Sequence, residues 1–196
     1  MLNWLEEEVP EQVIDPQLPI VDAHHHMWAK RPGWSSAPAM ADDVGCYLLP
    51  QILEDIQRCG HNIKNTVYVQ SGAMYAQDGP EHLRSVGETR FAQGVASTTE
   101  SGVFGGARVA SAIVGFADLL RGAQVEEVLL EHMRNPNFRG VRQIPKGNYR
   151  PIGPNEKRRR NTYDEGDAET GDLYCNKHFR EGFAALDRLG LSFDAW

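Results

Sequence analysis

The feature that most constrains this chain is an alternation. Apolar, strand-like segments take turns with amphipathic, helix-like ones. "LPIVDAHHH" (Leu18 to His26) reads as a first strand. "LLPQILEDIQRCGHN" places Leu49, Ile52, Leu53 and Ile56 at helical spacing, with Pro50 in the first turn and Gly60 at the end. "NTVYVQ" (Asn65 to Gln70) is a second strand, and a helix follows from Pro80. Val109 to Leu119 is a nearly continuous apolar run, as expected of a strand covered on both faces. "QVEEVLLEHMR" is a helix with Val125, Val128, Leu129 and Met133 on one side, and Phe138 to Ile144 is a fourth strand. "HFREGFAALDRLG" carries Phe179, Phe183, Leu186 and Leu189 at helical spacing, Gly190 closes it, and "LSFDAW" begins a fifth strand.

Strand–helix repeated four times, then a strand, predicts an α/β fold of parallel strands joined by crossover helices. No glycine-rich turn follows the first strand, so the dinucleotide-binding fingerprint is missing, and "VFGGAR" precedes a strand rather than opening a helix. An eight-stranded barrel typically needs about 250 residues. Two architectures fit: a small open α/β domain, or the first four and a half units of a TIM-barrel-like (β/α) fold. The end of the sequence inside an apolar strand favours the second, a truncated barrel. Residues 1–17 read as an acidic N-terminal extension and 18–196 as the domain. A polar insertion at about 145–176 holds the basic block Lys157 to Arg160 and the acidic block Asp164 to Asp172, read as solvated charges that offset each other.

With 27 acidic and 20 basic side chains among 196 residues, the formal charge is −7, which argues against nucleic acid or an anionic membrane surface as partner. No apolar run approaches the roughly 18 residues of a membrane span. The start, "MLNWLEEEVPEQ", lacks the basic and apolar regions of a signal peptide, so a cytoplasmic location is expected. Cys46, Cys59 and Cys175 are odd in number and widely spaced, and read as reduced thiols.

The three adjacent histidines are the chemical feature. Side chains alternate across a strand, so His24 and His26 share one face and His25 takes the other. The pair sits where the first strand runs into a loop, the carboxyl end at which parallel α/β folds build their sites. Two imidazoles so placed can converge on one metal ion, zinc first among them, or hydrogen-bond a substrate or a neighbouring carboxylate. His25 is expected to be packed and bonded to the backbone.

"IVDAHHHMW" resembles the first-strand signature of the amidohydrolase superfamily and is most similar to its amidohydrolase-related branch, amidohydrolase family 2. "LPQILEDIQRCGHNIKNTVYVQSGAMY", "GPEHLRSVGETRFAQGVA", "AIVGFADL", "FRGVRQ" and "FREGFAALDRLGLSFDAW" continue the resemblance in order over residues 18–196. That branch contains sugar-acid lactonases, 2-pyrone-4,6-dicarboxylate lactonase and, further off, zinc-dependent decarboxylases. The resemblance implies a distorted (β/α) barrel with its site at the carboxyl ends of the strands. It makes His24 and His26 metal ligands in metal-bearing members and substrate contacts in metal-independent ones. It also implies a water-activating aspartate on a late strand, beyond Trp196.

One departure stands out. Arg142 and Gln143 occupy the end of strand four, where two-metal members carry a lysine or an acid. A guanidinium there suits a carboxylate or lactone carbonyl. Gln70, Trp28 and Tyr75 are further substrate-binding candidates. The expected function is hydrolysis of a small cyclic ester or amide, first a lactone of an acidic compound, with one divalent metal or none. The alternatives are a zinc-dependent decarboxylase, and an inactive half-barrel that acts only by self-association or by pairing with another chain.

Overall fold

A computed structural model of the chain describes residues 12–29, 45–144 and 173–195. Residues 145–172 of the polar insertion, with both its charge blocks, most of the N-terminal extension and the loop 30–44 lie outside these residues. Among the described residues there are five strands: β1 (Pro19–His25), β2 (Asn62–Val69), β3 (Arg108–Gly115), β4 (Phe138–Arg142) and β5 (Ser192–Asp194). Four helices join them: α1 (Leu49–Arg58), α2 (Val86–Glu100), α3 (Val125–Met133) and α4 (Lys177–Arg188).

All neighbouring strands are parallel, and the sheet runs β1-β2-β3-β4-β5 in chain order. Each crossover therefore steps one strand onward in the same sense. A doubly wound sheet reverses direction at a switch point; this one does not, and it curls into a parallel half-barrel. No described helix is long and apolar enough to cross a membrane.

The core lies between the sheet and its layer of helices. Ile52 from α1, Val86, Ala92, Val95 and Ala96 from α2, Val125, Val128 and Leu129 from α3, and Phe179, Ala185 and Leu186 from α4 pack on the sheet. Tyr68, Val109, Ile113, Phe138 and Val141 meet them from the strands. Burying each large apolar side chain contributes about 1.5–3 kcal/mol.

Local signals set the helix ends. Asn176 caps α4 by accepting from the amides of His178 and Phe179, at 2.8 and 3.3 Å. At the other end Gly190 takes φ +66, and Leu191 N–H returns to Leu186 O at 2.8 Å. The predicted third strand, Val109 to Leu119, is shorter than expected. β3 stops at Gly115, and Leu119 opens a 3-10 turn, Leu119–Gln124. The reason is Gln143: its Oε1 accepts from Leu119 N–H at 2.9 Å and its Nε2 donates to Asp118 at 3.1 Å, which bends the chain off the sheet.

Candidate functional site

β1 ends at His25, opposite Tyr68 of β2. The next β2 carbonyl, that of Val69, has no strand amide of β1 to meet. The ring of His26 takes that place, with Nδ1 2.8 Å from Val69 O. A carbonyl can only accept, so His26 carries its proton on Nδ1. Burial depresses the pKa of His26 from the usual histidine value, so the ring is neutral and Nε2 holds a lone pair. His24 Nε2 lies 3.1 Å from that lone pair and donates to it, the two rings standing edge to face.

His25 points the other way. It is buried, its Nε2 is 2.8 Å from the Thr66 hydroxyl, and its ring meets Tyr68 edge-on. The expected packing is found, but the ring bonds the Thr66 side chain where a backbone partner was expected. A register shift between Asp22 and His25 interrupts the plain alternation, and Asp22 Oδ1 accepts from the amide of His24 at 3.1 Å within it.

Arg142 ends β4 and is 3% exposed. Its partner in register is Asp194 of β5, and Arg142 Nε is 3.4 Å from Asp194 Oδ2. Burial lowers the guanidinium pKa and the Asp194 charge opposes that. Both charges act on the His26 ring, so the pair and the histidines share one end of the half-barrel.

The other candidates are placed as follows. Gln70 is buried directly after Val69, with its backbone amide donating to Val114 O at 2.8 Å. Trp28 forms an isolated antiparallel bridge with Tyr47, and the two rings stack with centroids 5.1 Å apart. That slab follows the histidines in the chain. Tyr75 is buried against Phe116, its phenol pushed up by burial and by Glu88. No described contact links it to His24 or His26.

The sequence reading passed over three residues. Asp194 was one acid among many until the β4–β5 register set it beside Arg142. Glu88 sits in the first turn of α2, fully buried, and gathers donors from the loop after β2. His132 is buried in α3, where Nε2 donates to Phe116 O at 3.0 Å and Nδ1 accepts from Thr89 at 2.8 Å. The spacing of Val125, Val128 and Leu129 continues at i+7 to His132, which is buried, and not to Met133, which was expected on that side and is 40% exposed.

The pair fits part of a metal site. Zinc–nitrogen bonds of about 2.0–2.1 Å put two imidazole nitrogens on one tetrahedral ion roughly 3.3 Å apart, close to the 3.1 Å between the two Nε2 atoms. The Nδ1–H bond to a backbone carbonyl is the outer contact that ligating histidines use. Among the described residues, no group of three or more histidine, cysteine, aspartate or glutamate side chains gathers as a metal shell.

No protein-family model and no solved structure matches the chain. It is similar to an uncharacterized protein, y4mH, of Sinorhizobium fredii, with 30% identity over 181 residues. The match takes in 89% of this chain and 52% of that protein, so the chain spans about half the length of the curated relative it matches.

Proposed function

We propose that this chain carries the N-terminal part of a hydrolytic site for a small cyclic ester or amide, with a lactone of an acidic compound as the leading substrate. The observation that carries the reading is the shared location of two ion-binding elements. A neutral His26, its Nε2 turned toward His24, lies in the field of the Arg142–Asp194 pair. The resemblance to the amidohydrolase-related family, through "IVDAHHHMW" and "FRGVRQ", supports the same chemistry.

In this reading Arg142 holds an anionic group of the substrate through its guanidinium. Asp194 fixes the guanidinium plane and keeps it from collapsing onto the imidazoles. His24 and His26 would hold one divalent ion, zinc first, through their Nε2 atoms, His24 carrying its proton on Nδ1 in that state. A bound ion would polarise the ester carbonyl as a Lewis acid. Without an ion, His24 Nε2–H would turn from His26 Nε2 to donate to the carbonyl oxygen instead. The water-activating aspartate that the resemblance implies would come from a later strand.

The test is hydrolysis of sugar-acid and dicarboxylate-derived lactones by the purified chain, followed by acid release. Turnover above the uncatalysed rate, lost in the His24→Ala, His26→Ala double variant, supports the proposal; turnover that survives it sinks the assignment. An Arg142→Met variant that raises KM for anionic lactones but not neutral ones supports the anion-binding role.

A second reading has its own observation. Among the described residues the outer edges of β1 and β5 are unpaired, and Val21 on β1 is 56% exposed. Open edges pair with other strands. Here the half-barrel acts by joining a second copy of itself, and sedimentation equilibrium tests it: a monomer throughout the micromolar range removes self-association.

A further inference from the structure

Glu88 is a buried acid with no place in the chemistry above. It stands in the first turn of α2, and its side chain reaches the loop that leaves β2. Its Oε1 accepts from Tyr68 OH at 2.7 Å, Ser71 N–H at 2.8 Å and Gly72 N–H at 3.0 Å. Two consecutive amides converging on one oxygen form an anion-binding concavity. Gly72 makes this possible by taking φ +76, a conformation that L side chains rarely adopt. The Ser71 hydroxyl lies 3.1 Å from the same oxygen and donates to Met27 O at 3.0 Å. Burial pushes the Glu88 carboxyl up, and these donors offset part of that.

The clamped segment is the one that orients His26. Val69 O receives His26 Nδ1–H, Gln70 N–H is tied to β3, and Ser71 and Gly72 are tied to Glu88. A second route runs through the same residue: Ser71, held at its amide by Glu88, donates its hydroxyl to the carbonyl of Met27, the residue after His26.

We propose that Glu88 is a positioning residue: it anchors the turn after β2 so that Val69 O holds His26 with Nδ1 protonated and Nε2 presented to His24. The inference rests on reading His26 as a site residue, but its readout does not pass through activity. Loss of lactone turnover would remove the proposed function and leave this test untouched.

The experiment is nitrogen-15 NMR of the histidine rings in the full chain, which distinguishes the two neutral tautomers. The unaltered protein should show His26 as Nδ1–H. Glu88→Ala should broaden that proton away or shift His26 toward Nε2–H, while His132 keeps its Nε2–H tautomer. Glu88→Gln retains an acceptor oxygen at the same place and should restore the original His26 signature. Ser71→Ala removes only the hydroxyl route, and a partial shift of His26 is expected; it also carries the test if Glu88→Ala does not fold. Thr89→Val is the control, lowering Tm through His132 without moving His26. The proposal is overturned if His26 is Nε2–H in the unaltered protein. It is equally overturned if folded Glu88→Ala, or Ser71→Ala in its stead, lowers Tm with an unchanged His26.

Discussion

Arg142 and Asp194 stand opposite each other in the β4–β5 register, and their side chains form an ion pair at the carboxyl end of the sheet, 3.4 Å from Nε to Oδ2. Arg142 is almost fully covered, whereas the Asp194 side chain is 31% exposed. Asp194→Ala is therefore expected to destabilise by about 1–2 kcal/mol, less than the loss of a partner from a fully buried pair. A double-mutant cycle with Arg142→Met should give a coupling of about 1 kcal/mol in urea unfolding. Strict additivity would show that the two charges do not interact.

The proposed ion site at His24 and His26 can be tested by direct binding. Isothermal titration should find one zinc per chain, with affinity falling at least about tenfold in either His24→Ala or His26→Ala. His25→Gln should leave zinc affinity alone and lower Tm, because His25 bonds Thr66 on the opposite face. Stoichiometric zinc that survives His26→Ala removes the pair as ligands.

His132 gives the fold an acid-side weakness. Burial lowers its pKa from 6.5 to about 4, so the folded state holds it neutral. Between those values the unfolded chain binds the extra proton, so stability is complete above pH 6.5 and declines as pH falls toward 4, by up to about 3 kcal/mol. His25, also held at about 4 by burial, adds a decline of the same sign. Glu88 acts oppositely, since a raised carboxyl loses stability as pH rises. His132→Gln should lower stability at pH 7 and flatten the acid slope. An unchanged slope in unfolding experiments from pH 7 to 4 would refute this account.

Gly140 lies where β4 meets β5, opposite Ser192. A Cβ added there would fall on the Ser192 carbonyl oxygen, which is backbone and cannot swing aside. Gly140→Ala should cost about 3 kcal/mol or more and separate Arg142 from Asp194. Gly94→Ala is the contrast: it lies in α2 with nothing near its added Cβ, and should be neutral or stabilising by about 0.5–1 kcal/mol. Thermal unfolding of both variants decides the point.

The α/β layout was legible because parallel strands and amphipathic helices leave different periods in sequence. β1, β4 and the four main helices fall where apolar spacing put them. The His24–His26 pairing was legible in their two-residue spacing, although His26 lies just past the end of β1 and a register shift interrupts the alternation before it. β3 was overread past Gly115 because the chain stays apolar through Ala117. What ends the strand is Gln143, a polar side chain 24 residues away from Leu119. Asp194 and Glu88 were hidden for a similar reason. Their meaning depends on which residue of another strand or loop they meet, and periodicity carries no cross-strand register. The 3-10 turn Leu173–Cys175 was taken as the tail of a polar stretch, yet Leu173 is buried and Tyr174 packs on Phe179 and Phe193. Three residues are too few to show a period.

The chain-order sheet has a consequence for how the molecule is made. Every strand pairs with one that precedes it immediately, so no strand must wait for a distant segment to be synthesised before it finds its neighbour. Such a sheet can grow on the ribosome from β1 outward, each β/α unit docking against an edge already formed. His26 is locked onto Val69 as soon as β2 docks, so the histidine pair takes shape in the first increment of that growth. The Arg142–Asp194 contact forms only when the fifth strand arrives.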